Sequence, residues 1–456
     1  EMVTERHYTD DFFAKFQELR GYDIKPYLPF VMNPGADNHL FDGAGIKTRS
    51  PFSLSETSDQ VPFVSERLHH DYSLTVSDLF IERFFETTEE WAAARGMGAR
   101  VQPYGIRVDV MRAAGSVSIP EAEQLYAGGS ELFLKVISSG AHQYGRSIAS
   151  AESLVWAGKD HMTTPRKLKA AVDKLFTAGI NQVVFHGFPY KTNNPAYGLS
   201  DWHPFSSPFG GGTYSSNVSE TDPFWDYFVE INAYIARCQY LLRQGMPTAD
   251  IAVFYPWLGV PASLARADEL DEFLFGGQFE DEPLTGRQDL FELVDAFFGG
   301  KYLGPVVDGL TGLWPVLQEL EAAGYTWEWI NDERLVNCSL DKDQFVSGNA
   351  RFKALLVPDQ VAMSKDAAQV VKQMAESGVS IVFLGEYPTR QPGFHDAELN
   401  DQAVKAAIEG AIGAKNVQNS DNALESMQKL GVLPTVGVAV ADHVGPSNPV
   451  KTISRR

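Results

Sequence analysis

Apolar positions recur every three or four residues along several stretches of the chain, with short apolar runs between them, the alternating signature of helices and strands. Phe12, Phe13 and Phe16 place one apolar side on a helix over residues 10–20. Val76, Phe80, Phe84 and Trp91 do the same over 73–95, and residues 131–144 read as a third helix. The best-marked helix opens at Thr164-Pro165. Thr is its N-cap and Pro its first turn, Leu168, Val172, Leu175 and Phe176 share a face, and Gly179 ends it. Arg100–Tyr104, Ser147–Ala151 and Asn181–Phe185 read as strands between the helices. This order predicts a parallel α/β sheet or barrel.

A second rhythm follows. Residues 223–243 read as a helix with Phe228, Ile231, Ile235 and Cys238 at helical spacing, closed by Gly245. Strands are expected at Ile251–Tyr255, Tyr325–Trp329, Ala354–Val357 and Val379–Phe383, with helices at 311–323 and 365–376. Residues 400–430 read as helical. The expected fold is α/β: a partial (β/α)8 TIM-like barrel over 1–247, then a doubly wound flavodoxin/Rossmann-like domain over 248–395, then a helical extension and tail over 396–456. Residues 187–222, rich in Gly, Pro and Ser, break the first rhythm and read as a long functional loop.

Composition narrows the classes. The chain has 456 residues, 44% of them hydrophobic and 21% charged, a balance that excludes a disordered chain. Lys and Arg number 38 against 59 Asp and Glu, a net charge of −21. So acidic a surface repels phosphate backbones, which argues against a nucleic-acid partner. No apolar run reaches the ~18 residues of a membrane span. Two cysteines, Cys238 and Cys338, make no disulfide framework and are expected to be unpaired. No glycine-rich nucleotide loop follows any strand, so residues 250–390 are expected to be structural. The compartment stays open, with a secreted or periplasmic one slightly favoured.

Strand ends supply the candidate chemistry, because in parallel barrels they face the site. Glu152, directly after Ile148-Ala-Ser-Ala151, is placed as a general base or nucleophile; a first-turn helix acid is the structural alternative. Glu121 and Glu123 follow Pro120, either as a helix N-terminus or as an acidic cluster for a hard cation such as Ca2+. His186 precedes Gly187 at a strand end, ready for a ligand hydroxyl or satisfied in the core. Trp202, Trp225 and Tyr190 are candidates to stack on a sugar or to pack internally.

The ordered segments resemble the α-L-rhamnosidases of glycoside hydrolase family 106. The carriers are Phe16–Pro29 with Gly21-Tyr-Asp23, His70-Asp-Tyr72, Val101-Gln-Pro-Tyr-Gly105 with Asp109, and Ile119-Pro-Glu-Ala-Glu123. Ser150-Ala-Glu152, Thr164-Pro165, Gly179-Ile-Asn181, His186-Gly187 and Tyr234–Gly245 continue the series. The resemblance covers roughly residues 1–260. It implies inverting hydrolysis of a terminal α-L-rhamnoside in an oligosaccharide or glycoside, with Glu152 as base and a calcium ion at Glu121 and Glu123. It places Glu1 near the family's acid. Tyr104, Asp109, His186 and Trp202 are the expected substrate-binding residues. It also implies that earlier barrel strands precede this chain. If Glu1 is not the donor, Asp71, Glu66 and Glu123 are the first acids to test. A retaining galactosidase-like glycosidase and an inactive carbohydrate-binding protein are the alternatives.

Overall fold

The computed structural model describes residues 8–31, 63–104, 108–123, 131–154, 163–187, 218, 222–255, 306–436 and 453–455. Within them the chain is mixed α/β, built on three sheets. Glu1, Tyr190 and Trp202 lie outside the described residues, as does nearly all of the expected loop at 187–222.

Helix α1 (Phe12–Arg20) buries Phe12 and Phe16 against α2 (Val64–Phe80). Helix α2 runs on through a π-helical stretch, Ile81–Glu86, into Thr87–Ala93. Strand β1 (Arg100–Val101), α3 (Val110–Ser116), β2 (Ile119–Glu123), α4 (Glu131–Gln143), β3 (Ser150–Ser153), α5 (Pro165–Thr177) and β4 (Gln182–Phe185) follow in strict alternation. The four strands form one parallel sheet in the order β1-β2-β3-β4. The caps of α5 are those its sequence writes. Thr164 accepts from the Lys167 N–H, Pro165 fills the first turn, and Leu168, Val172, Leu175 and Phe176 are buried. Each such side chain contributes about 1.5–3 kcal/mol on burial.

After α6 (Phe228–Leu242) come β5 (Pro247–Thr248), β6 (Ile251–Phe254), α7 (Val306–Ala322), β7 (Trp327–Ile330) and α8 (Asp332–Val336). Then follow β8 (Ser339–Asp341), β9 (Gln344–Ser347), β10 (Ala350–Phe352), β11 (Ala354–Val357), α9 (Lys365–Ser377), β12 (Ser380–Phe383), α10 (Ala397–Ile412), β13 (Val417–Asn419), α11 (Ala423–Lys429) and β14 (Ser454–Arg455). The second sheet is wholly parallel, in the order β13-β12-β11-β6-β7. The third, β14-β5-β10-β9-β8, is mixed and small.

Two expectations change, and one element is new. Residues 119–123 form a strand, not a helix start. Residues 400–430 are not one helix: β13 intervenes and extends the second sheet, so that unit runs past residue 395. The hairpin β8–β9 was not anticipated; Lys342 turns it in the left-handed region, at φ 59°.

Helix α4 joins the two parallel sheets, and every one of its residues is buried. One side packs on β2 with Val136 and Ile137, and Gly140 lies so close to α3 that a Cβ there would stand 2.6 Å from the Met111 carbonyl oxygen. Its other side meets β7, the edge strand of the second sheet. Lys135, Ser139 and Gln143, four residues apart, form a polar stripe there. Lys135 Nζ donates to the Trp327 carbonyl at 3.1 Å, Ser139 Oγ accepts from the Trp329 N–H at 3.0 Å, and Gln143 Nε2 donates to the Trp329 carbonyl. The stripe satisfies the edge groups that a further strand would have paired.

Candidate active site

Strand alternation decides which side chains of the first sheet share a face. Glu121 and Glu123 lie two apart on β2, and their register partners on β3 are Ser150 and Glu152. These four share one face. Ala122 and Ala151 take the other, in the core formed with Val136 and Ile137 of α4. The carboxylates therefore crowd the face turned away from the helices. Glu152 lies inside β3, not after it, and is no helix acid.

Glu152 is half-exposed and gripped from both sides. Its Oε1 lies 2.5 Å from His186 Nδ1, one residue past β4. Its Oε2 accepts from Gln102 Nε2 at 2.7 Å, one residue past β1. The same amide nitrogen reaches Glu121 Oε1 at 3.5 Å. Glu121 is buried; its Oε2 accepts from Ser150 Oγ at 2.8 Å and lies 3.4 Å from Arg100 Nε. Burial raises its pKa, Ser150 and Arg100 draw it back, and the charge of Glu152 adds to the rise. The Tyr104 ring stands edge-on to Phe133 at 5.0 Å. Burial, then the charges of Glu123 and Glu121, push its hydroxyl well above the usual range.

The structure thus brings together Tyr104, Glu121, Glu123, Glu152 and His186 from the expected set. Gln102, Arg100 and Ser150 join them; Gln102 and Ser150 lie in the segments that carry the family resemblance, and Arg100 is marked only by its alternation with Val101. Asp109 goes elsewhere. It is the N-cap of α3, accepting from the Arg112 N–H at 3.0 Å and from Asn331 Nδ2 at 3.0 Å. Burial raises its pKa to about 6, against the opposing bonds from Arg112 and Asn331. Asp71 accepts from Tyr22 Oη and the Phe394 N–H, and Glu66 pairs with Arg390 at the surface; both hold the N-terminal helices to residues 390–394. Trp225 lies partly exposed in a turn before α6, edge-on to Phe228. Cys238 and Cys338 are both free, and burial pushes the Cys338 thiol up to about 11.

Glu121 and Glu123 offer the oxygen donors a calcium ion takes, but calcium needs six to eight ligands. Among the described residues no group of three or more His, Cys, Asp or Glu side chains is placed to hold a metal. The site matches calcium in donor type and falls short in number. Among the same residues no helix is long and apolar enough to cross a membrane.

Comparison with known proteins follows the same line. Residues 54–264 match the family model described as alpha-L-rhamnosidase, glycoside hydrolase family 106. A protein of Formosa agariphila named "Putative beta-glucuronidase" is 27% identical over 253 residues, covering 54% of this chain and 18% of that protein. The solved rhamnosidase from Novosphingobium sp. PP1Y superposes with a TM-score of 0.65 at 20% identity. That match covers 100% of this chain and 37% of the other, and it establishes a common fold. The chain spans well under half the length of either protein. Over residues 54–264, in the stretch that carries Glu121, Glu123, Glu152 and His186, the chain is similar to glycoside hydrolase family 106.

Proposed function

We propose that the protein is a glycoside hydrolase that cleaves terminal α-L-rhamnosides with inversion, with Glu152 as general base. One observation carries this reading: Glu152 projects from a rigid strand with both carboxylate oxygens oriented, by Gln102 on one side and His186 on the other. In the reaction Glu152 takes a proton from water as its oxygen bonds to the anomeric carbon. The glycosidic bond breaks, and a second carboxylic acid gives its proton to the leaving oxygen. Glu1, the acid the resemblance implies, lies outside the described residues. Tyr104 and His186 would line the sugar pocket with Trp202. Calcium, when bound at Glu121 and Glu123, would order sugar hydroxyls. The first sheet is read as the later strands of a (β/α)8 barrel. The second, whose strands run 2-1-3-4-5 in chain order, is read as flavodoxin-like.

A second reading rests on Gln102. Two carboxylates within reach of one amide nitrogen are close for an inverting pair, which needs about 6.5–9.5 Å, and nearer to the ~5–5.5 Å of a retaining pair. Glu121, its pKa raised by burial, would then be the acid and Glu152 the nucleophile. The product anomer separates the two. Proton NMR of the first sugar released from an aryl α-L-rhamnoside should show the β anomer, and an α anomer establishes the retaining reading. Glu152→Gln should lower turnover about 10²–10⁴-fold; near-normal turnover removes Glu152 from either mechanism.

A further inference from the structure

We infer that Gln102 is a positioning residue that acts through Glu152, fixing the plane of its carboxylate from two strands away. The inference rests on the proposed glycosidase reading and goes one step further into the same site.

Strands in a sheet lie about 4.7–4.9 Å apart, and β2 separates β1 from β3. A side chain following β1 must cross the width of β2 to touch Glu152. Gln102 does so at 2.7 Å, passing Glu121 at 3.5 Å on the way. An asparagine, one methylene shorter, would not span that gap. Nε2 carries two N–H groups and no charge. It can therefore serve two carboxylates at once. His186 holds only Oε1, so without Gln102 the carboxylate would swing about that single bond. A reacting group displaced by about an ångström loses on the order of 100-fold in rate.

Three variants of the full protein test this: Gln102→Met, which keeps the volume and removes the donor; Gln102→Asn, which keeps the amide and removes the reach; and Gln102→Met in a Glu152→Ala background. Turnover of an aryl α-L-rhamnoside should fall about 10–100-fold in both single variants, with KM changed less than about threefold. In the Glu152→Ala background the Gln102→Met change should have no further effect, since the group it acts through is gone. A crystal structure of Gln102→Met should show the Glu152 carboxylate rotated. Full turnover in Gln102→Asn, an equal loss in both backgrounds, or an unmoved Glu152 carboxylate each overturns the inference. A wild-type protein without glycosidase activity overturns the functional reading instead, and the position of Glu152 in the variant crystal still decides the role of Gln102.

Discussion

The polar stripe of α4 makes a sharp prediction about what seals an exposed sheet edge. Ser139 and Gln143 are fully buried, and each serves a backbone group of Trp329 that faces away from β6. Ser139→Ala leaves the Trp329 N–H without an acceptor in a place water does not reach. Such a group costs about 1–3 kcal/mol. Gln143→Leu orphans the Trp329 carbonyl, while the Ser347 hydroxyl, which donates to Gln143 Oε1 at 3.1 Å, keeps Arg334 as a partner, so its cost should be similar, about 1–3 kcal/mol. Lys135 offers the contrast. It donates to the Trp327 carbonyl and lies 4.5 Å from that indole ring, and among the described residues no carboxylate pairs with it. Replacing a buried charge by methionine removes a desolvation penalty along with one bond, so Lys135→Met should change stability by less than about 1 kcal/mol. Urea unfolding of the full chain followed by tryptophan fluorescence gives the ranking. Hydrogen exchange at the Trp329 amide gives the local value, about tenfold faster per 1.4 kcal/mol. If Lys135→Met were the costliest of the three and Ser139→Ala cost nothing, the charge and the ring would be holding the edge, and the account of a hydrogen-bonding stripe would be wrong.

Other outcomes follow from single sites. Asp109 has its folded pKa raised from 3.8 to about 6, so it favours the folded state most below pH 4 and loses that contribution as pH rises through 6. The stability of the wild type relative to Asp109→Asn should therefore fall by about 3 kcal/mol between pH 4 and pH 7, and a flat difference in melts across that range contradicts the burial argument. Asp250 is buried, pairs with Lys353 at 2.7 Å and accepts from Thr326 and Thr435; despite burial these bonds hold its pKa below the usual range. Asp250→Ala should cost about 3–5 kcal/mol in urea unfolding, and a loss under 1 kcal/mol would show that the lysine finds water instead. If calcium is bound at Glu121 and Glu123, a chelator should abolish turnover and added Ca2+ restore it, while activity indifferent to chelator removes the ion from the site.

Where local and tertiary signals agree, the sequence is legible. Helices α5 and α9 were readable because cap, stripe and terminating glycine coincide: Thr164 and Gly179 bound the first, Ser364 and Gly378 the second. The buried parallel strands β6, β7, β11 and β12 were readable as apolar runs between them. Strand β13 was not. Its three residues lie between two helices, and what makes them a strand is pairing with β12. The hairpin at 339–347 turns at Lys342 without a glycine, so no local signal announced it. At the candidate site, Glu152 and His186 were singled out from strand ends, although Glu152 lies within its strand. Glu121 and Glu123 were singled out as clustered acids, and Tyr104 by the motif that contains it. Asp109 was drawn in by the motif around it, and its burial as a cap is a tertiary fact that spacing does not carry.

Strand β2 shows why the carboxylates face where they do. Pro120 followed by two glutamates has the composition of a helix start, and that reading competes with the period-two alternation of Pro120-Glu-Ala-Glu123. Packing decides between them. Helix α4 approaches β2 closely, and the residue facing it is Ala122, with Ala151 beside it on β3. Only small side chains fit beneath a helix held that near, and a carboxylate there would be buried without compensation. A one-residue slip in either strand would exchange the two faces, turning Glu121, Glu123 and Glu152 into the apolar core and the alanines toward the site. The same alternation therefore fixes register and chemistry together. The small residues let α4 seat, and seating α4 forces the acids onto the opposite face, where Gln102 and His186 can hold Glu152.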